Sequence, residues 1–116
     1  MIWLFRNNIE EHILSAILFA KERGVQICSD DWGSLADECL CPLGCVIYIN
    51  GKKVSDNAED NTKLAAKILG VSEDWTNSFI SGFDLIDGQY ALLQEGWKVG
   101  QTVRKKVKPT KTWEDE

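Results

Sequence analysis

Residues 39–49, CLCPLGCVIYI, are apolar without a break, and three of the chain's four cysteines fall within the first seven of them. A segment with no polar face has to be buried on every side, so the remaining residues must be arranged around it. Two conformations fit. As a helix, the segment starts at Pro42, where a missing N–H costs nothing, and stops at Asn50 or Gly51 in the left-handed conformation. As a hairpin, it uses good strand formers at residues 46–49 and a strong two-residue turn at Asn50 and Gly51. The returning segment, KKVSDN, has no alternating apolar face to pair usefully. The helix is therefore the expectation; a small hairpin over 43–54, which would make the fold α+β, is the alternative.

Apolar periodicity places further helices on both sides. Asn8 and Glu11 have the spacing of a capping box, Ile9, Ile13, Ala16, Ile17 and Ala20 follow at helical intervals, and Gly24 is a stop. Residues 25–28 form a short extended piece or part of a turn, and residues 29–38 are a polar loop. Asp56 and Glu59 again have capping-box spacing, ahead of Leu64, Ala65, Ile68 and Leu69, with Gly70 as the stop and Val71 as its apolar contact. Ser72 caps the next helix, in which Trp75, Phe79 and Phe83 lie four apart with Ile80 beside them. A last helix runs from about Tyr90 to Val107 and is lined by Tyr90, Leu93, Trp97, Gly100 and Val107. Gly96 and Gly100 each cost about 1 kcal/mol against alanine inside a helix. Close approach of a neighbour, the buried central helix, would offset that. The expected fold is mainly α: one domain over 1–108, four to five short helices around a buried central helix. Residues 109–116 are expected to be a flexible tail.

At 116 residues the chain is long enough to bury a core without staples. The N-terminus has an apolar stub of five residues followed by Arg6 and then carboxylates, the reverse of a secretory signal. No apolar stretch approaches the roughly 20 residues needed to span a bilayer. The expectation is a cytoplasmic protein with reduced thiols and no membrane partner. The net charge is −5, which disfavours nucleic acid as a partner for the whole. The charge is uneven: from Arg104 onward there are five basic and three acidic residues, so the rest sums to −7. Acidic clusters occur at Asp30, Asp31, Asp37 and Glu38, and at Asp56, Glu59 and Asp60. Solvated loops and helix N-termini account for such clusters without any binding role.

The cysteines admit two readings. Their spacing, Cys28-x10-Cys39-x-Cys41-x3-Cys45, is not the paired pattern of a structural zinc site, with one residue between Cys39 and Cys41. A helix from residue 42 would nevertheless bring Cys41 and Cys45 to a similar face, where Cys28 and Cys39 could join them around zinc or an iron–sulfur cluster. The competing account is that cysteine packs as a small hydrophobe among Leu40, Leu43, Val46 and Ile47. Cys41, close to a helix N-terminus, would have a lowered pKa if exposed. His12 is the only histidine and lies to one side of the first helix's apolar stripe, which suits a surface position better than a general base. No nucleophile elbow, phosphate-cradling glycine loop or zincin motif is present. Only Asp84 and Asp87, beside Phe83 and Leu85, sit in an apolar setting.

Residues 62–79, TKLAAKILGVSEDWTNSF, resemble the helix-turn-helix motif of bacterial repressors, with Ala66 in the first helix, Gly70 and Val71 at the turn, and Phe79 in the second helix. The resemblance implies two turn-joined helices, the second entering a DNA groove. Thr76 stands where that motif has a buried aliphatic residue. The second helix opens with Glu73 and Asp74 and carries no Lys or Arg, so phosphates would repel it. The shape is expected without DNA binding. Trp32, flanked by acidic residues, suits a protein contact; the alternative is that it folds over the first helix. The expected function is a small acidic interaction module of bacterial style without catalytic activity or cofactor. It would be an adaptor, an inhibitor or an immunity-type antagonist of a basic protein, and would bind through Asp30, Asp31, Trp32, Asp37 and Glu38. The alternative is a metal or thiol-redox protein built on Cys28, Cys39, Cys41 and Cys45, and behind it a helix-turn-helix nucleic-acid binder.

Overall fold

A computed structural model describes residues 3–29, 32–84 and 94–108. The chain is mainly helical. Among the described residues the elements are α1 (Trp3–Glu22), β1 (Gln26–Ile27), β2 (Gly33–Ser34), β3 (Cys39–Leu40), α2 (Pro42–Ile49), α3 (Ala58–Leu69), α4 (Glu73–Asp84) and α5 (Gln94–Val107). No helix among these residues is long and apolar enough to cross a membrane.

The apolar run is a helix. Cys41 is extended and caps it, its Sγ accepting the Gly44 N–H at 3.3 Å, and Pro42 takes the first position. At the other end the Gly51 N–H donates to the Tyr48 carbonyl and the Lys52 N–H to the Ile47 carbonyl, with Gly51 at φ 74°. These bonds satisfy the last carbonyls as a glycine-terminated helix end requires. Pro42 to Ile47 are all buried. The α1 helix lies along one side of α2 through Ile13, Ala16, Ile17 and Ala20, and α3 packs on another. The hairpin alternative over 43–54 therefore does not form.

Strand pairing occurs elsewhere, in a three-stranded sheet of order β1-β3-β2. In it β1 runs parallel to β3, with Gln26 opposite Cys39 and Ile27 opposite Leu40; β2 runs antiparallel, with Gly33 opposite Leu40. Gly33 has φ 80°, and a Cβ there would strike the Cys39 carbonyl, so only glycine fits this corner. These two-residue strands are too short for alternation to announce them.

Two helix starts differ from expectation. The first helix begins at Trp3, so Asn8 is inside it and not a cap. No glycine or proline interrupts residues 3–22, and the helix extends upstream of the polar pair that resembled a boundary. The α3 cap is Asn57, whose Oδ1 accepts the Asp60 N–H at 3.1 Å, one residue after Asp56. The expected stop holds: Gly70 is left-handed and the Val71 N–H donates to the Ala66 carbonyl. The expected α4 cap holds too, the Ser72 Oγ accepting the Trp75 N–H at 3.0 Å.

The most extensive helix pair is α4 with α5. Trp75, Phe79 and Phe83 form a stacked column along α4, with ring centroids 5.8 and 6.3 Å apart. Against it lie Gly96 and Gly100 of α5. A Cβ at Gly96 would press on the Trp75 carbonyl, one at Gly100 on the backbone of Phe79 and Phe83, and one at Gly82 of α4 on the Trp97 carbonyl. The glycines are thus offset by close approach, but the neighbour is α4 rather than the central helix. Val103, absent from the expected stripe, is fully buried. Tyr90 and Leu93, the expected start of this helix, and the 109–116 tail lie outside the described residues.

Gly100→Ala tests this packing by its sign. At an exposed helix position the change stabilises by up to about 1 kcal/mol. Here it should lower the urea-unfolding free energy by about 1–3 kcal/mol, because the added methyl meets backbone that cannot rotate away.

Candidate functional site

The N-terminus of α2, the aromatic column of α4 and the chain just before β2 enclose a cavity of about 150 Å3. Its walls are Trp32, Pro42, Leu43, Phe79, Ile80 and Phe83, with Cys41 and Asp84 as its polar members. Each element is held in place by bonds already implied by the fold. The Cys41 N–H donates to the Trp32 carbonyl at 3.1 Å, which ties the Trp32 backbone to the helix start. The four-residue spacing along α4 turns Phe79 and Phe83 to the same side, and Asp84 follows as its last residue.

Asp84 joins the cavity to a partly buried polar link between distant parts of the chain. The Ser29 hydroxyl donates to Asp84 Oδ1 at 3.0 Å. Arg104 of α5 donates from the same Nη1 to the Ser29 Oγ at 3.0 Å and to the Phe83 carbonyl at 2.6 Å. Its guanidinium lies 5.8 Å from the Phe83 ring centroid. Charge-assisted bonds of this kind are roughly twice as strong as neutral ones. They pin the end of α4 to α5 and to Ser29, two residues after β1. Asp84 was recognisable beside Phe83; Ser29 and Arg104 were not. Arg104 opens a basic run in the sequence, and nothing local couples it to a serine 75 residues away.

All four cysteines are free thiols and buried. Cys41 is buried, so the exposure that its activation would require is not met. Burial raises its pKa, and this outweighs the lowering by the Gly44 N–H; the Cys45 thiol and Asp84 raise it further. Burial likewise pushes the Cys45 thiol up to about 12, with Cys39 adding to the shift. Both are neutral thiols near pH 7, whereas a nucleophile requires the thiolate. Among the described residues no three Cys, His, Asp or Glu side chains are grouped so as to hold a metal ion. His12 is exposed on α1 and does not line the cavity.

The expected partner-binding residues are only partly brought together. Asp30 and Asp31 lie outside the described residues. Trp32 is half-buried in the cavity wall and packs against the core. Asp37 and Glu38 are exposed on the turn before β3 and do not line the cavity. The Asp37 carboxylate accepts the Ser34 hydroxyl at 2.9 Å and its N–H donates back to the Ser34 Oγ. Glu38 has φ 57°, a conformation that glycine or asparagine adopts at lower cost. The turn geometry thus does not account for a glutamate there.

The other acidic cluster has a structural account. Glu59 and Asp60 fall in the first turn of α3, where carboxylates complement the helix dipole. The helix pair resembling a repressor motif is formed by α3 and α4, joined at residues 70–72. In α4 only Glu73 and Asp74 are exposed. The rest of α4 is buried or half-buried.

The thiols make a signed pH prediction. An unfolded thiol ionises near 9.0 while Cys45 in the fold keeps its proton to about 12, so above pH 9 the folded chain binds more protons than the unfolded one. Stability must then fall as pH rises, by about 1.4 kcal/mol per pH unit for each such thiol. Cys45→Ala should reduce the slope of unfolding free energy between pH 9 and 11 by about one proton relative to wild type. An unchanged slope would mean that Cys45 ionises freely in the folded protein. In comparisons with family models, curated proteins and solved structures, nothing matches the chain.

Proposed function

We propose that the chain is a small acidic protein–protein interaction module without catalytic activity. It acts as an adaptor, inhibitor or immunity-type antagonist of a basic partner. The contact surface is the stretch that carries Asp30, Asp31, Trp32, Asp37 and Glu38. The observation that supports this most is the cavity at Trp32. It is apolar apart from Cys41 and Asp84, and at about 150 Å3 it is smaller than the roughly 300–1,000 Å3 of small-molecule sites. That size suits one side chain of a partner, and Trp32 in its wall is only half-buried. The −5 net charge favours a partner of opposite sign.

Glu38 adds a second line of support. A glutamate held at positive φ, exposed, in a turn that other residues would form more cheaply, is a candidate for retention by function. The buried, neutral thiols Cys41 and Cys45 offer no matching support for a nucleophilic redox role.

Affinity capture from the source cell, with identification of what is retained, tests the proposal. Asp30→Lys with Asp31→Lys should weaken retention of the captured protein by at least about tenfold, through like-charge repulsion at the contact. Glu38→Gly should weaken it less while leaving the melting temperature unchanged or slightly raised. Undiminished capture by both variants would remove this surface from consideration.

A further inference from the structure

A second recess, of about 220 Å3, lies at the opposite end of α2. Leu35, Leu40, Tyr48 and Val54 form its apolar wall, and Lys52 and Lys53 complete it. Leu40 and Cys41 are successive residues that line different recesses, so this site is separate from the cavity at Trp32.

Although residues 52–55 belong to no helix or strand, hydrogen bonds hold them on both sides. The Lys52 N–H donates to the Ile47 carbonyl at 3.2 Å. The buried Asn61 of α3 clamps Ser55: its Oδ1 accepts the Ser55 N–H at 2.8 Å and its Nδ2 donates to the Ser55 carbonyl at 2.9 Å. The wall is thus preorganised, and a ligand spends little of its binding energy on ordering it.

The charge on this wall runs against the rest of the molecule. Both lysines are exposed, and among the described residues neither ammonium has a carboxylate partner. The end of α2 presents about half a negative charge. Two ammonium groups exceed what it calls for. Leu35 is 46% exposed, one of two large apolar side chains left in the open among the described residues. The recess therefore combines an unfilled apolar pocket, an exposed leucine at its edge and two uncompensated positive charges.

We propose that this recess docks an acidic peptide segment of another protein. One aliphatic or aromatic side chain enters between Leu35, Leu40, Tyr48 and Val54, and neighbouring carboxylates meet Lys52 and Lys53. The volume is too small for a drug-sized ligand and suits a single side chain. Asp37 and Glu38 follow Leu35 in the chain without lining the recess, and their charge orients the segment with its carboxylates toward the lysine end. The site does not depend on the basic partner proposed above, and either can fail alone.

The test is titration of the full, 15N-labelled chain with blocked acidic pentapeptides whose central residue is Leu, Met, Phe, Trp or Ala. At least one apolar-centred peptide should give saturable amide shifts at Leu35, Tyr48, Lys52, Lys53 and Val54. Its affinity should fall with added salt and drop at least about tenfold when the centre is Ala. Lys52→Glu with Lys53→Glu, both at exposed positions, should abolish the shifts while the rest of the spectrum is preserved. Shifts that persist in that variant, equal binding of the Ala-centred peptide, or no saturable shift with any apolar centre would overturn the proposal.

Discussion

The burial of α2 is the constraint on which the other features rest. Its first six residues are buried, and Leu43, Cys45, Val46 and Ile47 are fully so. Burying three such aliphatic side chains contributes about 5–9 kcal/mol as an upper estimate. The whole stability of a domain is about 5–15 kcal/mol. A chain that left α2 uncovered would therefore lose most of its folding free energy. Covering α2 decides where α1 and α3 must lie and where β3 must end.

The same helix sets the two recesses, one at each end. Its start contributes Cys41, Pro42 and Leu43 to the cavity beneath Trp32; its last turn and the residues after it contribute Tyr48, Lys52, Lys53 and Val54 to the other. The two differ in sign, a carboxylate in one wall and two ammonium groups in the other. Small side chains make the arrangement possible. Cys45 fills a fully buried position inside α2, and Cys41 caps it with a sulfur that burial keeps neutral. On the far side, glycines in α4 and α5 let two backbones meet. The Ser29, Asp84 and Arg104 link then fastens that pair to the segment just after β1.

Elements with strong local chemistry were legible before any coordinates. Pro42, Gly51, Gly70 and Ser72 mark helix ends through backbone geometry that each residue type favours, and all four do so in the fold. Capping pairs were less dependable: Asn8 and Asp56 had suitable neighbours, but caps act only where tertiary packing ends a helix. The sheet was hidden because a two-residue strand has no period. The identity of the α5 neighbour was hidden because a glycine announces close approach without saying by whom. At the candidate site, Trp32 and Asp84 were marked by composition alone. Ser29, Asn61 and the pairing of Lys52 and Lys53 with an apolar recess depend on contacts between segments remote in sequence, which no local pattern encodes.

Native-state hydrogen exchange across α2 measures the central dependence directly. If its burial underlies the fold, the amides of Cys45, Val46, Ile47 and Tyr48 exchange only through global opening. Their exchange free energies then equal the unfolding free energy from urea denaturation and fall in step with it as urea is added. Exchange of these amides at free energies several kcal/mol below the global value, with no dependence on urea, would show that α2 opens while the rest stays folded and would contradict the account.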